Sequence, residues 1–156
     1  MKVGRLTCSD RASAGVYRDE GGPEIERVFT SIWAGPVEFV AQIIPDDRTG
    51  IEATLIHLAD KELCPLIITT GGTGFAARDV TPEATLAVIT RELPGFGETM
   101  RAQSFAVAPT SILSRATAGV RGRALIINLP GNPKAIAQCL PPLLPAIREA
   151  LRHLEE

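Results

Sequence analysis

The sequence predicts an α/β fold: a mostly parallel sheet covered by helices on both faces. Three observations lead there. Short apolar runs alternate with amphipathic stripes of helical period. The links between them are short, as crossover units in a parallel sheet require. The third apolar run, Leu66-Ile67-Ile68, is uninterrupted and β-branched, as suits a strand buried on both faces.

Residues 2–8 read as the first strand. The run Ser9-Asp10-Arg11-Ala12-Ser13-Ala14-Gly15 then reads as a loop; its small polar residues fit a binding loop and an Asx-type turn equally well. Gly22-Pro23 opens a helix whose Ile25, Val28, Phe29, Ile32 and Trp33 fall on one face, so Trp33 is expected in the core. Gly35 is the expected C′ stop. Residues 37–44 form the second strand and end at Pro45-Asp46-Asp47. Thr49 and Glu52 have capping-box spacing for a helix that turns Ile51, Leu55 and Leu58 inward. The third strand follows Cys64-Pro65.

Thr81 and Pro82 are then expected as N-cap and first residue of a helix. Residues 93–97 read as a loop and 98–107 as a helix. Residues 116–120 and 123–129 read as a small antiparallel hairpin across Arg121-Gly122. Asn132 and Pro133 are an N-cap and a first helical residue. Pro141 and Pro142 are expected to interrupt that helix, before a last amphipathic stretch bearing Leu143, Leu144, Ile147, Leu151 and Leu154. With 156 residues and no repeat or linker, residues 1–156 read as a single domain.

Composition excludes several functions. The net charge is −2, lysine is scarce and no basic run occurs, so no nucleic-acid partner is expected. No stretch reaches the roughly 18 apolar residues of a membrane span, and MKVGRLTCSDR lacks a signal peptide's apolar centre. Cys8, Cys64 and Cys139 are odd in number and widely spaced; they read as free thiols of a reducing compartment, and a cytoplasmic location is expected. His57 and His153 lack zinc-ligand spacing and read as solvated helix residues.

Four strand ends carry unusual residues: Ser9-Asp10-Arg11, Pro45-Asp46-Asp47, the stretch from Gly71 to Asp79, and Gly131-Asn132-Pro133. Ligands of open parallel sheets bind outside such ends. In Gly71-Gly72-Thr73-Gly74, three glycines in four positions allow a sharp turn and a close approach to bare amides. A structural tight turn accounts for them as readily. The dinucleotide fingerprint is approximated by residues 72–77, but Arg78 to Pro82 separates it from the next helix; no lysine follows Gly74, so a Walker A loop is excluded. Asp46 and Asp79 close strands that a crossover unit makes neighbours. Paired carboxylates beside a phosphate loop suit Mg²⁺. Turn chemistry at Asp46, and a helix-dipole charge or an Arg78 partner at Asp79, are the alternatives. Cys8 has no histidine nearby to activate it and reads as buried filler.

Together, SDRASAGVYRDEGGP, the IPD ending at Asp46, GGTGFAARDVTPEAT, PGFGE, ILSRA and LPGNPKAI strongly resemble the molybdopterin adenylyltransferases of molybdenum-cofactor biosynthesis, in the same order and over nearly the whole chain. The resemblance implies a three-layer α/β/α sandwich and a homotrimer. It implies Mg-ATP-dependent transfer of an adenylyl group to the terminal phosphate of molybdopterin, with pyrophosphate released, and a molybdenum insertase as downstream partner. It places Asp46 and Asp79 at the critical acidic positions, where they would hold Mg²⁺. Gly71, Gly72, Thr73 and Gly74 would offer amides and a hydroxyl to phosphate. Ser9, Asp10, Arg11 and Ser13 would help form the pterin and nucleotide pocket. Thr81 and Pro82, and Gly131, Asn132 and Pro133, would set helix N-termini at the site. Ser114 and Arg115 match the family without a role that the residues themselves explain. Two rivals share the fold: a pyridine-nucleotide pyrophosphatase-type relative, which usually has leucine in place of Thr73, and a non-catalytic trimeric pterin-binding scaffold.

Overall fold

A computed structural model describes residues 1–156. Strands β1 (Lys2–Cys8), β2 (Glu38–Ile44), β3 (Leu66–Thr70), β4 (Arg91–Glu92), β5 (Ala118–Arg121) and β6 (Ala124–Leu129) form one sheet in the order β2-β1-β3-β6-β5-β4. The first four in that order are parallel, and β5 and β4 are antiparallel additions at one edge. Thr7 lies opposite both Ile43 and Thr70, and Thr70 opposite Leu129. The four parallel strands therefore end level, and their carboxyl-end loops share one rim.

Helices α2 (Gly21–Ile32), α5 (Gly95–Phe105) and α6 (Pro133–Glu155) cover one face; α3 (Arg48–Asp60) and α4 (Thr81–Val88) cover the other. Alternation along β3 serves both. Leu66 and Ile68 join Ile25, Phe29, Leu125, Leu140 and Ile147, while Ile67 joins Leu6, Ile51, Leu55, Leu58 and Ile126. The uninterrupted apolar run thus feeds two cores, the reason it lacks polar alternation. Trp33 is partly buried; it stacks on Phe29 at 5.4 Å, and the Arg148 guanidinium lies 5.6 Å from its ring centre.

Several local expectations are corrected. Residues predicted as the first loop contain a short helix, α1 (Asp10–Ser13), capped by Ser9, whose Oγ accepts the Ala12 amide at 3.2 Å. Asp47, not Thr49, caps α3, accepting the Gly50 amide at 2.8 Å; its shorter side chain reaches back from outside the helix. Thr81 is the first residue of α4 and makes no cap, which falls on Val80. α5 begins at Gly95, because the Glu98 amide already bonds the Pro94 carbonyl. α2 ends at Ile32 with Trp33 as C-cap, so Gly35 lies beyond the C′ position. Pro141, Pro142 and Pro145 all sit inside a continuous α6. They leave the carbonyls of residues 137, 138 and 141 without a helical donor, but none of these residues is buried, whereas Ile136, Leu140, Leu143, Ile147 and Leu151 hold the opposite face on the sheet. The two-residue β4 was not foreseen. No helix is long and apolar enough to cross a membrane.

Candidate functional site

The level strand ends border a cleft of about 540 Å³, lined by Thr7, Cys8 and Ser9 from the end of β1, Asp46 after β2, Thr70-Gly71-Gly72 from β3, and Gly131 and Pro133 after β6. All four strand-end loops picked out in the sequence reach this rim. The remaining wall comes from Tyr17, Arg18, Asp19, Glu20 and Gly21, the approach to α2. Sequence reasoning missed these five. The available signal was that they lie within SDRASAGVYRDEGGP, one of the stretches that carry the family resemblance.

That wall is tied down by a buried ion pair. The Arg5 guanidinium, on β1, bonds Asp19 at 3.2 Å and Glu26 at 2.7 Å, with only 10% of the arginine side chain and 7% of the Asp19 side chain exposed. Asp19 also accepts the Thr7 hydroxyl at 2.9 Å and the Gly22 amide at 3.0 Å. The Tyr17 hydroxyl meets Ser9 Oγ at 2.8 Å.

The glycine loop has a one-sided polarity. Three of its four carbonyls are taken by the protein: Gly72 O accepts the Thr81 amide (3.2 Å), Thr73 O the Arg115 amide (2.8 Å) and Gly74 O the Arg115 Nε (2.7 Å). The amides of Gly71, Gly72, Thr73 and Gly74 donate to no acceptor in the chain. Gly71 and Gly72 have φ of +90° and +65°, which favour glycine. A Cβ on Gly71 would strike the Cys8 carbonyl, and one on Gly72 would strike Thr81 Oγ1 and lie 3.1 Å from Asp46 Oδ1. Backbone can therefore come close here only because no side chain intrudes.

Asp46 Oδ1 and Thr81 Oγ1 are the two buried side-chain polar atoms that lack a hydrogen-bond partner, and both border Gly72. Burial, with further contributions from the charges of Asp10 and Asp79, raises the Asp46 carboxyl above the usual carboxylate range. Asp10 lies below that range, because Arg78 holds it in a two-armed pair of 2.9 and 2.8 Å. The alternative of an Arg78 partner at Asp79 does not form: the partner of Arg78 is Asp10.

Asp79 and Asp46 do not follow neighbouring strands, since β1 lies between β2 and β3. They nevertheless stand on the same rim. Asp79 Oδ2 accepts the Ala76 amide at 3.0 Å and so folds back on its own loop. No three acidic, histidine or cysteine side chains are grouped closely enough to hold a metal alone. The donor set still fits Mg²⁺, which takes one or two carboxylates and draws its other ligands from phosphate and water: Asp46 supplies a buried oxygen with no protein donor, and Asp79 adds negative charge nearby.

Of the other expected site residues, Asn132 caps α6 through the Lys134 amide at 2.9 Å. It lines, with Pro130 and Lys134, a second cavity of about 320 Å³ under α5 and the 3-10 turn Pro109–Leu113, where Ser104, Ser111 and Ser114 also sit. Arg11, Ser13, Thr73, Gly74 and Pro82 flank the cleft's loops without lining it. Cys8 is a buried free thiol pushed up to about 12 by burial, which removes it as a nucleophile. His57 and His153 are exposed on α3 and α6, as expected.

Residues 4–149 match the family model of a probable molybdopterin binding domain. The molybdopterin adenylyltransferase of Helicobacter pylori strain 26695 is 51% identical over 147 residues, 94% of this chain and 84% of that protein. Its Escherichia coli K12 namesake is 52% identical over 140 residues, 90% of this chain and 72% of that one. The crystal structure of a molybdopterin biosynthesis enzyme from Thermus thermophilus superposes with a TM-score of 0.89 at 43% identity, covering 98% of this chain and 95% of that one.

Proposed function

Because this chain belongs to the family of probable molybdopterin-binding domains, we propose that it is a nucleotidyltransferase that adenylylates molybdopterin with Mg-ATP. One observation carries the reading: the Gly71–Gly74 loop has four unbonded amides, and its Gly72 borders a buried Asp46 oxygen that also lacks a partner. Free donors suit phosphate oxygens. A free carboxylate oxygen does not, and the cleft lining is itself acidic, with Asp19, Glu20 and Asp46 against Arg18. A phosphate that arrives with a divalent cation satisfies both halves of the site.

On this reading the Gly71–Gly74 amides hold the ATP phosphates, and Asp46 and Asp79 hold Mg²⁺. The bound ion would neutralise charge on the phosphates. The terminal phosphate oxygen of molybdopterin attacks the α-phosphorus, the bond to the β-phosphate oxygen breaks, and pyrophosphate leaves. The chain contributes position and electrostatics rather than a covalent intermediate. The Pro130–Lys134 turn separates the cleft from the second cavity, whose hydroxyl- and amide-bearing apolar walls suit a flat heterocycle with polar edges. The same reading makes the protein a cytoplasmic homotrimer that passes its product to a molybdenum insertase.

The test is to incubate purified protein with molybdopterin and Mg-ATP. Pyrophosphate released in step with adenylylated pterin is expected. Pterin binding without pyrophosphate would replace the enzyme by a scaffold.

A further inference from the structure

Arg115 lines neither of the two cavities, yet it makes more hydrogen bonds to the glycine loop than any other residue outside it. Its amide bonds Thr73 O at 2.8 Å, its Nε bonds Gly74 O at 2.7 Å, and its Nη2 bonds Asp79 O at 2.8 Å. The guanidinium also pairs with Glu83 on the first turn of α4. One residue thus gathers the carbonyls from both ends of the 73–79 loop. Its own backbone is held in turn: Arg101 Nη1, on α5, donates to Ser114 O at 3.2 Å and Ala116 O at 2.9 Å, the carbonyls on either side of Arg115.

A carbonyl left free in this loop would present negative dipole to an incoming phosphate. We propose that Arg115 is a positioning residue that sets the polarity of the anion loop. Its side chain captures the carbonyls of Gly74 and Asp79 and its main-chain amide that of Thr73, which turns these acceptors away from the phosphate while the Gly71–Gly74 amides stay free, and it fixes where Asp79 stands. Arg101 sustains this by locking the main chain around Arg115. A lysine cannot take its place, because a single ammonium lacks the planar fork that serves Gly74, Asp79 and Glu83 together. The inference rests on the phosphate-binding reading of the loop, not on the transfer reaction.

The test compares the parent protein with Arg115→Met, Arg115→Lys and Arg101→Lys. ATP binding is measured by calorimetry, amide hydrogen exchange over residues 71–79 by mass spectrometry, and steady-state kinetics with Mg-ATP and molybdopterin. Arg115→Met is expected to weaken ATP binding by about tenfold to a hundredfold, the scale of lost charge-assisted hydrogen bonds. Exchange at the bonded amides of this segment, Ala76 and Asp79, should speed up while that of the sheet stays unchanged. KM for Mg-ATP should rise with KM for molybdopterin unmoved, a split that general destabilisation does not produce. Arg115→Lys should recover only a fraction, and on an Asp79→Asn background Arg115→Met should cost less ATP affinity than on the parent. ATP affinity within about twofold of the parent in both Arg115 variants would overturn the proposal. So would faster exchange spread evenly over the whole chain. If Arg115→Met does not fold, Arg115→Lys and Arg101→Lys decide by the same readings. Parent protein that binds ATP in an Arg115-dependent way but releases no pyrophosphate would sink the proposed reaction and leave this inference standing; parent protein that binds no ATP would sink both.

Discussion

Asp10 and Asp46 each accept the other's backbone amide: the Asp10 N–H donates to Asp46 Oδ2 at 3.0 Å, and the Asp46 N–H donates to Asp10 Oδ1 at 3.0 Å. This exchange staples the exit of β1 to the exit of β2. It also orients Asp46, since with Oδ2 occupied the other oxygen is the one left beside Gly72.

Asp46→Asn should therefore abolish adenylyl transfer without unfolding the chain. An asparagine carbonyl can still accept the Asp10 amide, but it carries no charge for a cation. Asp79→Asn should do the same, keeping the Ala76 bond. Loss of at least about a hundredfold in kcat/KM, with pterin binding largely kept, is expected from the scale of electrostatic stabilisation in such sites. Parent-level turnover in both variants would reduce these carboxylates to structure.

The pH dependence follows from the direction of the Asp46 shift. A carboxyl raised in the folded state binds its proton more tightly there than in the unfolded chain. Its contribution to stability is therefore greatest at low pH and falls as pH rises from the ordinary carboxylate range through its raised value. Divalent-cation binding runs the other way, because the proton must leave first. Titrating Mn²⁺ affinity against pH should give an acid limb above the usual carboxylate range, and Asp46→Asn should remove it.

Gly72→Ala is expected to lose both stability and activity. The φ of +65° costs an alanine about 1–2 kcal/mol, and its methyl would strike Thr81 Oγ1. Denaturant unfolding gives the first quantity and ATP binding the second. Unchanged values in both would show the loop able to relax.

Arg5→Met should destabilise the fold by about 3–5 kcal/mol, the scale for removing one partner of a buried pair, because Asp19, only 7% exposed, would lose its cationic partner. Arg78→Met removes an exposed pair instead, and its melting temperature should barely move. Thermal or urea unfolding of the two variants side by side checks the ranking.

The homotrimer expected for this family is checked by light scattering: a mass near three chains at micromolar concentration supports it, and a monomer contradicts it.

Periodicity and local chemistry alone determined the five longer strands and the five longer helices, that the sheet is mostly parallel, and that four strand ends bear reactive or bare-backbone residues. Those properties are written within a few residues of one another, as in the Leu66-Ile67-Ile68 run or the Asn132-Pro133 helix start. Tertiary structure alone decided that β1 enters between β2 and β3, that Arg78 pairs with Asp10, that Tyr17 to Gly21 complete the cleft, and that Arg115 grips the glycine loop from 41 residues away in the chain. Each of these depends on which strands hydrogen-bond side by side, and a long-range pairing leaves no imprint in the spacing of either partner. The prolines of α6 teach the same point from the other side: a local rule called for a break, and burial of the helix's far face overrode it.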